Sequence, residues 1–348
     1  MDDERIKFAL IGCGRISKQH LSSIKTLEKE GKARLIAVCD IDENRAKKTG
    51  KEYCVPYYTD YKEMLNKEKD INIVSIATPN GTHYQIAKDC AQSNKHVLLE
   101  KPITLNLKDA DDLIRTFKDR DLHLFAVLQV RYNNTLRLLK KLINEGRLGK
   151  IMSASVVVRW TRPQEYFTGW RGTKEMDGGT VINQGIHYID VLQWLLGPVE
   201  SVYALKDTAA HNIEVEDEVM AVFRFKNRAI ASYEFTVNTY PKNMECSITV
   251  LGTKGTIKIG GSAMNKIDYW KVENVPKPNI KEIKPNVYAG GMYQGSCPNH
   301  IYIYKDVVRI LTNGGTNYIS GEEARKSLEI VKAIYRSADI KKPISFLE

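Results

Sequence analysis

The sequence predicts an α/β protein: a doubly wound parallel sheet followed by an α+β domain built on a large open antiparallel sheet. Three observations carry that expectation. Short apolar strands alternate with amphipathic helices through the first 125 or so residues, the rhythm of a parallel sheet wrapped by helices. A glycine-rich turn, Gly12-Cys13-Gly14, follows the first strand at once. Past residue 130 the pattern changes to long strands that alternate apolar and polar residues. A chain of 348 residues suits two domains, here 1–128 for nucleotide binding and 129–348 for substrate binding and oligomerisation.

The first strand, residues 5–11, alternates and then turns wholly apolar as it enters a buried sheet. The turn Gly12-Cys13-Gly14-Arg15-Ile16-Ser17 leads into a helix expected over 17–30. Gly12 permits the tight turn, Gly14 lets the backbone approach a pyrophosphate, and Ser17 is the third small residue that allows close helix–strand packing. The helix amino end offers unpaired N–H groups to phosphate. A second strand, 34–39, ends in Asp40, 23 residues beyond Ser17. A carboxylate there can accept both ribose hydroxyls of NAD and repels a 2′-phosphate, so the cofactor is read as NAD rather than NADP.

A helix over 44–52 follows, then a strand over 71–77 ending in Thr78-Pro79-Asn80, a helix over 82–93, and the run His96-Val-Leu-Leu-Glu-Lys-Pro102. That run reads as an interior strand delivering Glu100 and Lys101 to its carboxyl edge, where open α/β sheets place their chemistry. A solvated charge pair on a loop is the plainer reading of Glu100-Lys101 taken alone. A helix over 107–120 and a strand over 122–129 complete the sheet. Thr78, Pro79, Asn80, His83, Glu100, Lys101 and Gln129 are then expected to converge on the nicotinamide half of the cofactor, with Gly12, Cys13, Gly14, Arg15, Ile16 and Asp40 on the adenosine and phosphate half.

A helix over 134–145 opens the second domain, and strands are expected over 151–160, 199–206, 218–225, 229–237 and 245–251. One helix, 181–196, lies between the first two and carries Asn183 and His187 on one face, with Asp190 nearby. A mid-helix histidine among Ile186, Ile189 and Leu192 is as a rule a hydrogen-bonded core residue. The glycines Gly178-Gly179 just before it suggest close backbone approach to a ligand. A last helix over 322–338 is expected to pack back on the first domain.

Composition excludes several classes. No apolar run approaches the roughly 18 residues of a membrane span, and the charged start Met1-Asp2-Asp3-Glu4-Arg5 is not a secretory signal. Six scattered cysteines without a Cys-x-x-Cys pair suggest reduced cytoplasmic thiols and no metal site. The net charge of +10 is spread without a basic stripe, which suits a polyanionic small molecule better than nucleic acid.

The ordered set Gly12-x-Gly14-x-x-Ser17, Asp40, Thr78-Pro79-Asn80-x-x-His83, Glu100-Lys101-Pro102 and Gly178-Gly179…Gly185-x-His187-x-x-Asp190 resembles the Gfo/Idh/MocA oxidoreductases over nearly the whole chain. The resemblance implies a Rossmann domain with an open-sheet second domain, Lys101 beside the reacting carbon, His187 on the alcohol that becomes a ketone, and a homotetramer. Within that family, Gln129-Val-Arg131-Tyr132-Asn133, Val158-Arg159-Trp160-x-Arg162-x-Gln164-x-Tyr166, Trp170-Arg171-Gly172, Asp177-Gly178-Gly179, Asn183-Gln184-Gly185-Ile186-His187, Glu214-x-Glu216-Asp217 and the run from Gly260 to Lys266 resemble the UDP-N-acetylglucosaminuronate 3-dehydrogenases of the WlbA/WbpB type. These oxidise C3 of a UDP-linked N-acetylglucosaminuronic acid with NAD, ahead of diacetamido uronic acid synthesis for surface glycans.

Such a substrate presents a diphosphate and a carboxylate. Arg159, Arg162 and Arg171 offer bidentate donors for them, and Tyr166 and Trp170 offer apolar walls, with solvated surface arginines and core aromatics as the plainer alternatives. The segment 292–302 opens a helix and is expected over the nucleotide, at a subunit boundary, with His300 on the substrate. Lys101 is read as base or relay and His187 as hydrogen-bond partner; Asn183 stands where the family often carries an acid, which leaves the division of labour between the two open. A family member acting on a free sugar or inositol, and a non-catalytic NAD-binding sensor, are the competing readings. Whether NADH is released or reoxidised in place by 2-oxoglutarate is left open.

Overall fold

A computed structural model describes residues 4–288, 293–317 and 319–346; the side chains of Tyr288 and Tyr293 are not described. Residues 1–3 of the charged start and Met292 of the segment 292–302 lie outside the described residues. The chain divides into two compact units, 1–128 with 299–325 and 129–298 with 326–348.

The first unit alternates strand and helix: β1 (Ile6–Ile11), α1 (Ser17–Lys29), β2 (Ala33–Cys39), α2 (Glu43–Tyr53), β3 (Tyr57–Tyr58), α3 (Tyr61–Lys67), β4 (Ile73–Ile76), α4 (His83–Gln92), β5 (His96–Leu99), α5 (Leu107–Asp119) and β6 (Leu124–Ala126). The six strands form one parallel sheet in the order β3-β2-β1-β4-β5-β6. The order reverses at β1 and β4, the switch point where ligands bind in such sheets. Phe8, Leu10, Ile73, Val97 and Leu98 are fully buried, so covered strands read as continuous apolar runs. Asp42, Asp60 and Asn106 cap α2, α3 and α5 by accepting backbone N–H bonds.

The second unit holds α6 (Asn134–Asn144), β7 (Ile151–Arg159), α7 (Ile186–Leu196), β8 (Val199–Asp207), β9 (Glu218–Phe225), β10 (Ile230–Thr236), β11 (Glu245–Gly252), β12 (Gly255–Gly260) and β13 (Lys266–Val272). A short pair, β14 (Val287–Tyr288) and β15 (Tyr293–Gln294), follows. Helix α8 (His300–Asn313) counts with the first unit. Helix α9 (Gly321–Ile340) is divided between the two after Arg325, and β16 (Ile344–Ser345) closes the chain. Eight strands pair in the order β13-β12-β11-β7-β10-β9-β8-β16.

The second sheet is mixed rather than purely antiparallel, because β7 and β10 run parallel. The long crossover through α7 returns the chain to the end of the sheet where β7 began. The meander β8-β9-β10 then brings β10 alongside β7 in the same direction.

Other expectations shift at the edges. The strand expected over 122–129 stops at Ala126, and Gln129–Tyr132 form a 3-10 turn instead. The helix expected over 181–196 opens with a π turn, Val181–Gly185, before α7. No described helix is long and apolar enough to cross a membrane.

Candidate active site

In the first unit, the fingerprint turn is built by its own backbone. Gly12 has φ +97°, and a Cβ there would lie 2.6 Å from the Ala77 carbonyl oxygen at the end of β4. Only glycine lets the turn pass that strand end. Gly14 is different: a Cβ there meets nothing within 4 Å, so the backbone borders open space beside the amino end of α1. Ser17 Oγ donates to the Gly14 carbonyl at 2.6 Å and closes the turn. Unlike α2, α3 and α5, helix α1 has no side-chain cap and no acidic residue in its first turn. Its N–H groups and dipole are left for an anion. This arrangement fits a dinucleotide pyrophosphate.

Asp40, at the end of β2, accepts the Cys13 N–H at 2.7 Å and the Asp42 N–H at 2.9 Å. Burial pushes the Cys13 thiol up to about 11, which removes it as a nucleophile. Arg15 is exposed and Ile16 half-buried beside the turn.

Thr78 and Pro79 lie half-buried after β4, and Asn80 is buried. Thr82 Oγ1 donates to Thr78 Oγ1 and the Pro79 carbonyl. His83, fully buried on α4, ties two strand-end loops together: Nδ1 lies 2.7 Å from the Pro102 carbonyl and Nε2 3.0 Å from the Thr78 carbonyl. Burial lowers its basicity and the two carbonyls oppose that. Lys101 is half-buried at the carboxyl end of β5 and precedes a cis peptide to Pro102. The Glu100 side chain turns into the interior, where Oε1 lies 3.2 Å from both His20 Nε2 and His300 Nε2. His300 is thus a buried partner of Glu100 on α8. The ligating atoms of His20, Glu100 and His300 lie within 4.8 Å of one another, and the contacts are those of hydrogen bonds.

In the second unit, the 3-10 turn after β6 carries Gln129, whose Nε2 lies 3.3 Å from His187 Nε2 and 3.2 Å from Ser296 Oγ. With the amide nitrogen donating, His187 Nε2 is the accepting nitrogen. Arg131, two residues on, grips Asp190 with Nε–Oδ2 and Nη2–Oδ1 both at 2.7 Å in a buried bidentate pair. Asp190 also accepts from Ser327 Oγ on α9. This pair fixes the Gln129 turn against α7 and so sets the Gln129–His187 contact.

Asn183 donates through Nδ2 to Asp177 Oδ1, and Asp177 Oδ2 accepts the Gly172 N–H at 2.7 Å. A carboxylate therefore does stand beside this face, supplied by Asp177 from the preceding loop. The close approach expected at Gly178-Gly179 is, at Gly179, to the protein itself: a Cβ there would lie 2.1 Å from Tyr335 Oη and 2.9 Å from Glu216 Oε2. Burial raises the Glu216 carboxyl, which accepts from the Val181 N–H and Tyr335.

The three arginines do not lie together. Ala154, Val156 and Val158 are buried while the alternate residues are half-exposed, so Arg159 lies on the opposite face of the sheet from the core. There it pairs with Glu234 and Glu245. Arg162 and Arg171 converge instead. The Arg162 guanidinium lies 4.8 Å from the Trp160 ring and 5.5 Å from Tyr166, and Arg171 lies 5.1 Å from Tyr166 and 4.8 Å from Trp170. Rings and cations stack in alternation, which holds both guanidiniums in place, and Arg162 Nη1 also donates to the Thr161 carbonyl at 2.7 Å.

Sequence reasoning missed His20, Ser75, Tyr304 and Tyr335 as parts of these networks; Asp177 and Glu216 stood in the resemblance motifs without a role. Each is a single polar residue in an ordinary element, and its partners come from other elements, mostly far away in the chain.

With this geometry in place, the chain belongs to the Gfo/Idh/MocA oxidoreductases: residues 6–127 match the NAD-binding Rossmann-fold domain of that family and residues 136–258 its C-terminal domain. Its first unit is an NAD(H)-binding domain. The chain is 37% identical to the WlbA dehydrogenase of Bordetella pertussis, solved with NADH and UDP-GlcNAcA, over 99% of each chain with a TM-score of 0.89. It is equally similar to the Chromobacterium violaceum WlbA, solved with the same ligands, at 37% identity over 100% of this chain and 97% of that one, TM-score 0.89. Among characterised relatives it is 28% identical to the levoglucosan dehydrogenase of Pseudarthrobacter phenanthrenivorans, over 57% of each chain.

Proposed function

We propose that this protein oxidises the C3 hydroxyl of UDP-N-acetyl-D-glucosaminuronic acid to the 3-keto sugar with NAD, feeding synthesis of diacetamido uronic acids for surface polysaccharide. The observation that carries this reading is the full-length likeness, at 37% identity, to two WlbA dehydrogenases solved with NADH and UDP-GlcNAcA. The ring-stacked pair Arg162 and Arg171 supports it, since a diphosphate and a carboxylate need fixed bidentate donors. Arg159, committed to Glu234 and Glu245, is assigned no substrate role.

NAD, held by the Gly12–Ser17 turn and Asp40, supplies the acceptor for the C3 hydride. Lys101 is assigned the C3 hydroxyl proton, as base or relay. His187 is assigned a hydrogen bond to the same oxygen, its ring oriented by Gln129, whose turn is anchored by the Arg131–Asp190 pair. Asn183 and its partner Asp177 are assigned to orient the sugar. The chain is proposed to assemble as a homotetramer in which a second copy covers the exposed apolar face of the second sheet and a further interface joins two such pairs.

The experiment is the appearance of NADH when the purified protein and NAD meet UDP-N-acetylglucosaminuronic acid, compared with free sugars and inositol. Turnover of the UDP-uronate alone is expected; turnover of inositol or a free sugar alone overturns the assignment. Lys101→Ala and His187→Ala are expected to lower kcat about 100-fold or more across pH. A Lys101→Ala enzyme with unaltered rates removes Lys101 from the chemistry.

A further inference from the structure

Glu100 is where several elements of the first unit meet in the interior. Its Oε1 faces His20 Nε2 on α1 and His300 Nε2 on α8, each at 3.2 Å, and its Oε2 accepts the Lys101 backbone N–H at 3.2 Å. His20 turns its other nitrogen to Tyr304 Oη at 2.8 Å, and that hydroxyl meets Ser75 Oγ on β4 at 2.6 Å. Glu100, His20, His300, Tyr304 and Ser75 are all buried.

Each of the three contacts to Glu100 can bring it an N–H, and an acceptor-only group is what three N–H donors require. A neutral imidazole donates one N–H without adding a charge. The group is therefore a carboxylate solvated by dipoles in place of water. The other titratable groups around it are His83 on α4, Tyr304 on α8 and its chain neighbour Lys101. Burial lowers the basicity of His20 and His83 and raises the Tyr304 phenol. Despite its own burial, Glu100 is held well below the usual carboxylate range by His20 and His300.

The fingerprint turn follows β1, and the sheet order places β4 and then β5 beyond it. A dinucleotide with its pyrophosphate at that turn extends its nicotinamide toward the ends of β4 and β5. We propose that Glu100, fixed as an anion by His20 and His300, is a permanent negative charge at the nicotinamide end of the cofactor site that favours the oxidised, positively charged ring over the neutral reduced one. Hydride uptake takes the ring from +1 to neutral while Glu100 neither gains nor loses a proton. The charge thus makes bound NADH the stronger hydride donor, which suits reoxidation by a carbonyl acceptor. The proposal rests on the NAD-binding assignment but not on the identity of the sugar.

The test reads dissociation constants of NAD+ and NADH on the full-length protein with no sugar present. Glu100→Gln, which keeps an acceptor oxygen but loses the charge, is expected to raise the ratio Kd(NAD+)/Kd(NADH) about threefold or more. A smaller change, or equal weakening of both ligands, overturns the proposal. His300→Leu removes one N–H, so the Glu100 carboxyl becomes easier to protonate. Its ratio is then expected to climb threefold or more as pH falls through the range in which the protein stays folded, as the charge is lost. His300→Gln, which keeps an N–H, is expected to stay as flat as the wild type. A flat ratio in His300→Leu overturns the proposal even if Glu100→Gln fails to fold.

Discussion

Asp40 accepts two backbone N–H groups from the fingerprint turn and from the start of α2, so one carboxylate both shapes the turn and lies where an adenosine ribose is expected. Replacing it with Asn keeps an oxygen but removes the charge that repels a 2′-phosphate. Asp40→Asn is expected to weaken NADH binding about tenfold, the range of one hydrogen bond to a charged group, and to narrow the preference for NADH over NADPH. Fluorescence titration with both cofactors checks this, and an unchanged preference removes Asp40 as the discriminator. The arginines teach a similar lesson at single-residue resolution. Arg159 and Arg162 lie three apart in sequence, yet the alternation of β7 sends Arg159 to the outer face and into ion pairs, while Arg162, past the end of β7, stacks on Trp160 and Tyr166.

At the scale of elements, the β1-turn-α1 unit separates two demands that the Gly-x-Gly pattern merges. Gly12 is needed by the fold: its φ is +97° and β4 stands against it. Gly14 borders open space, so the fold does not need it small, and its role is proposed to be room for the cofactor. Gly12→Ala is expected to destabilise the protein by about 2 kcal/mol or more, through the left-handed backbone and the clash with Ala77. Gly14→Ala is expected to leave the thermal midpoint unchanged while weakening NADH binding at least tenfold. Thermal melts paired with cofactor titrations distinguish the two, and equal loss of stability in both variants contradicts this division. The π turn Val181–Gly185 is another element whose meaning lies in its surroundings. Tyr233 Oη donates to the Gly185 carbonyl and Tyr335 Oη approaches the Ile182 N–H, so partners from β10 and α9 meet a segment that local pattern reads as plain helix.

At the scale of the whole molecule, the second sheet leaves one face uncovered. Tyr203 pairs across strands with Val222, and Leu205 with Met220; Leu205, Met220 and Val222 are each more than half exposed. A contiguous apolar patch of this kind marks an interaction site, and a second copy of the chain is the occupant proposed above. Val222→Lys with Met220→Lys is expected to reduce the tetramer to smaller species by light scattering after size exclusion. A wild-type protein that elutes as a monomer contradicts the oligomer. The sequence by itself determined the alternation of strands and helices in the first unit, the nucleotide turn, the acid closing β2 and the Glu100-Lys101 pair at the end of β5. These follow from local periodicity and from turn chemistry that only glycine satisfies. Tertiary structure alone decided that β7 and β10 run parallel, that Arg159 leaves the other two arginines, that Asp177 supports Asn183, and that Glu100 turns inward to His20 and His300. Each of these joins residues distant in the chain, depends on which face of a strand is covered, or, for Asp177, depends on how a loop folds back on the helix that follows it, and none is written in the local pattern of side chains.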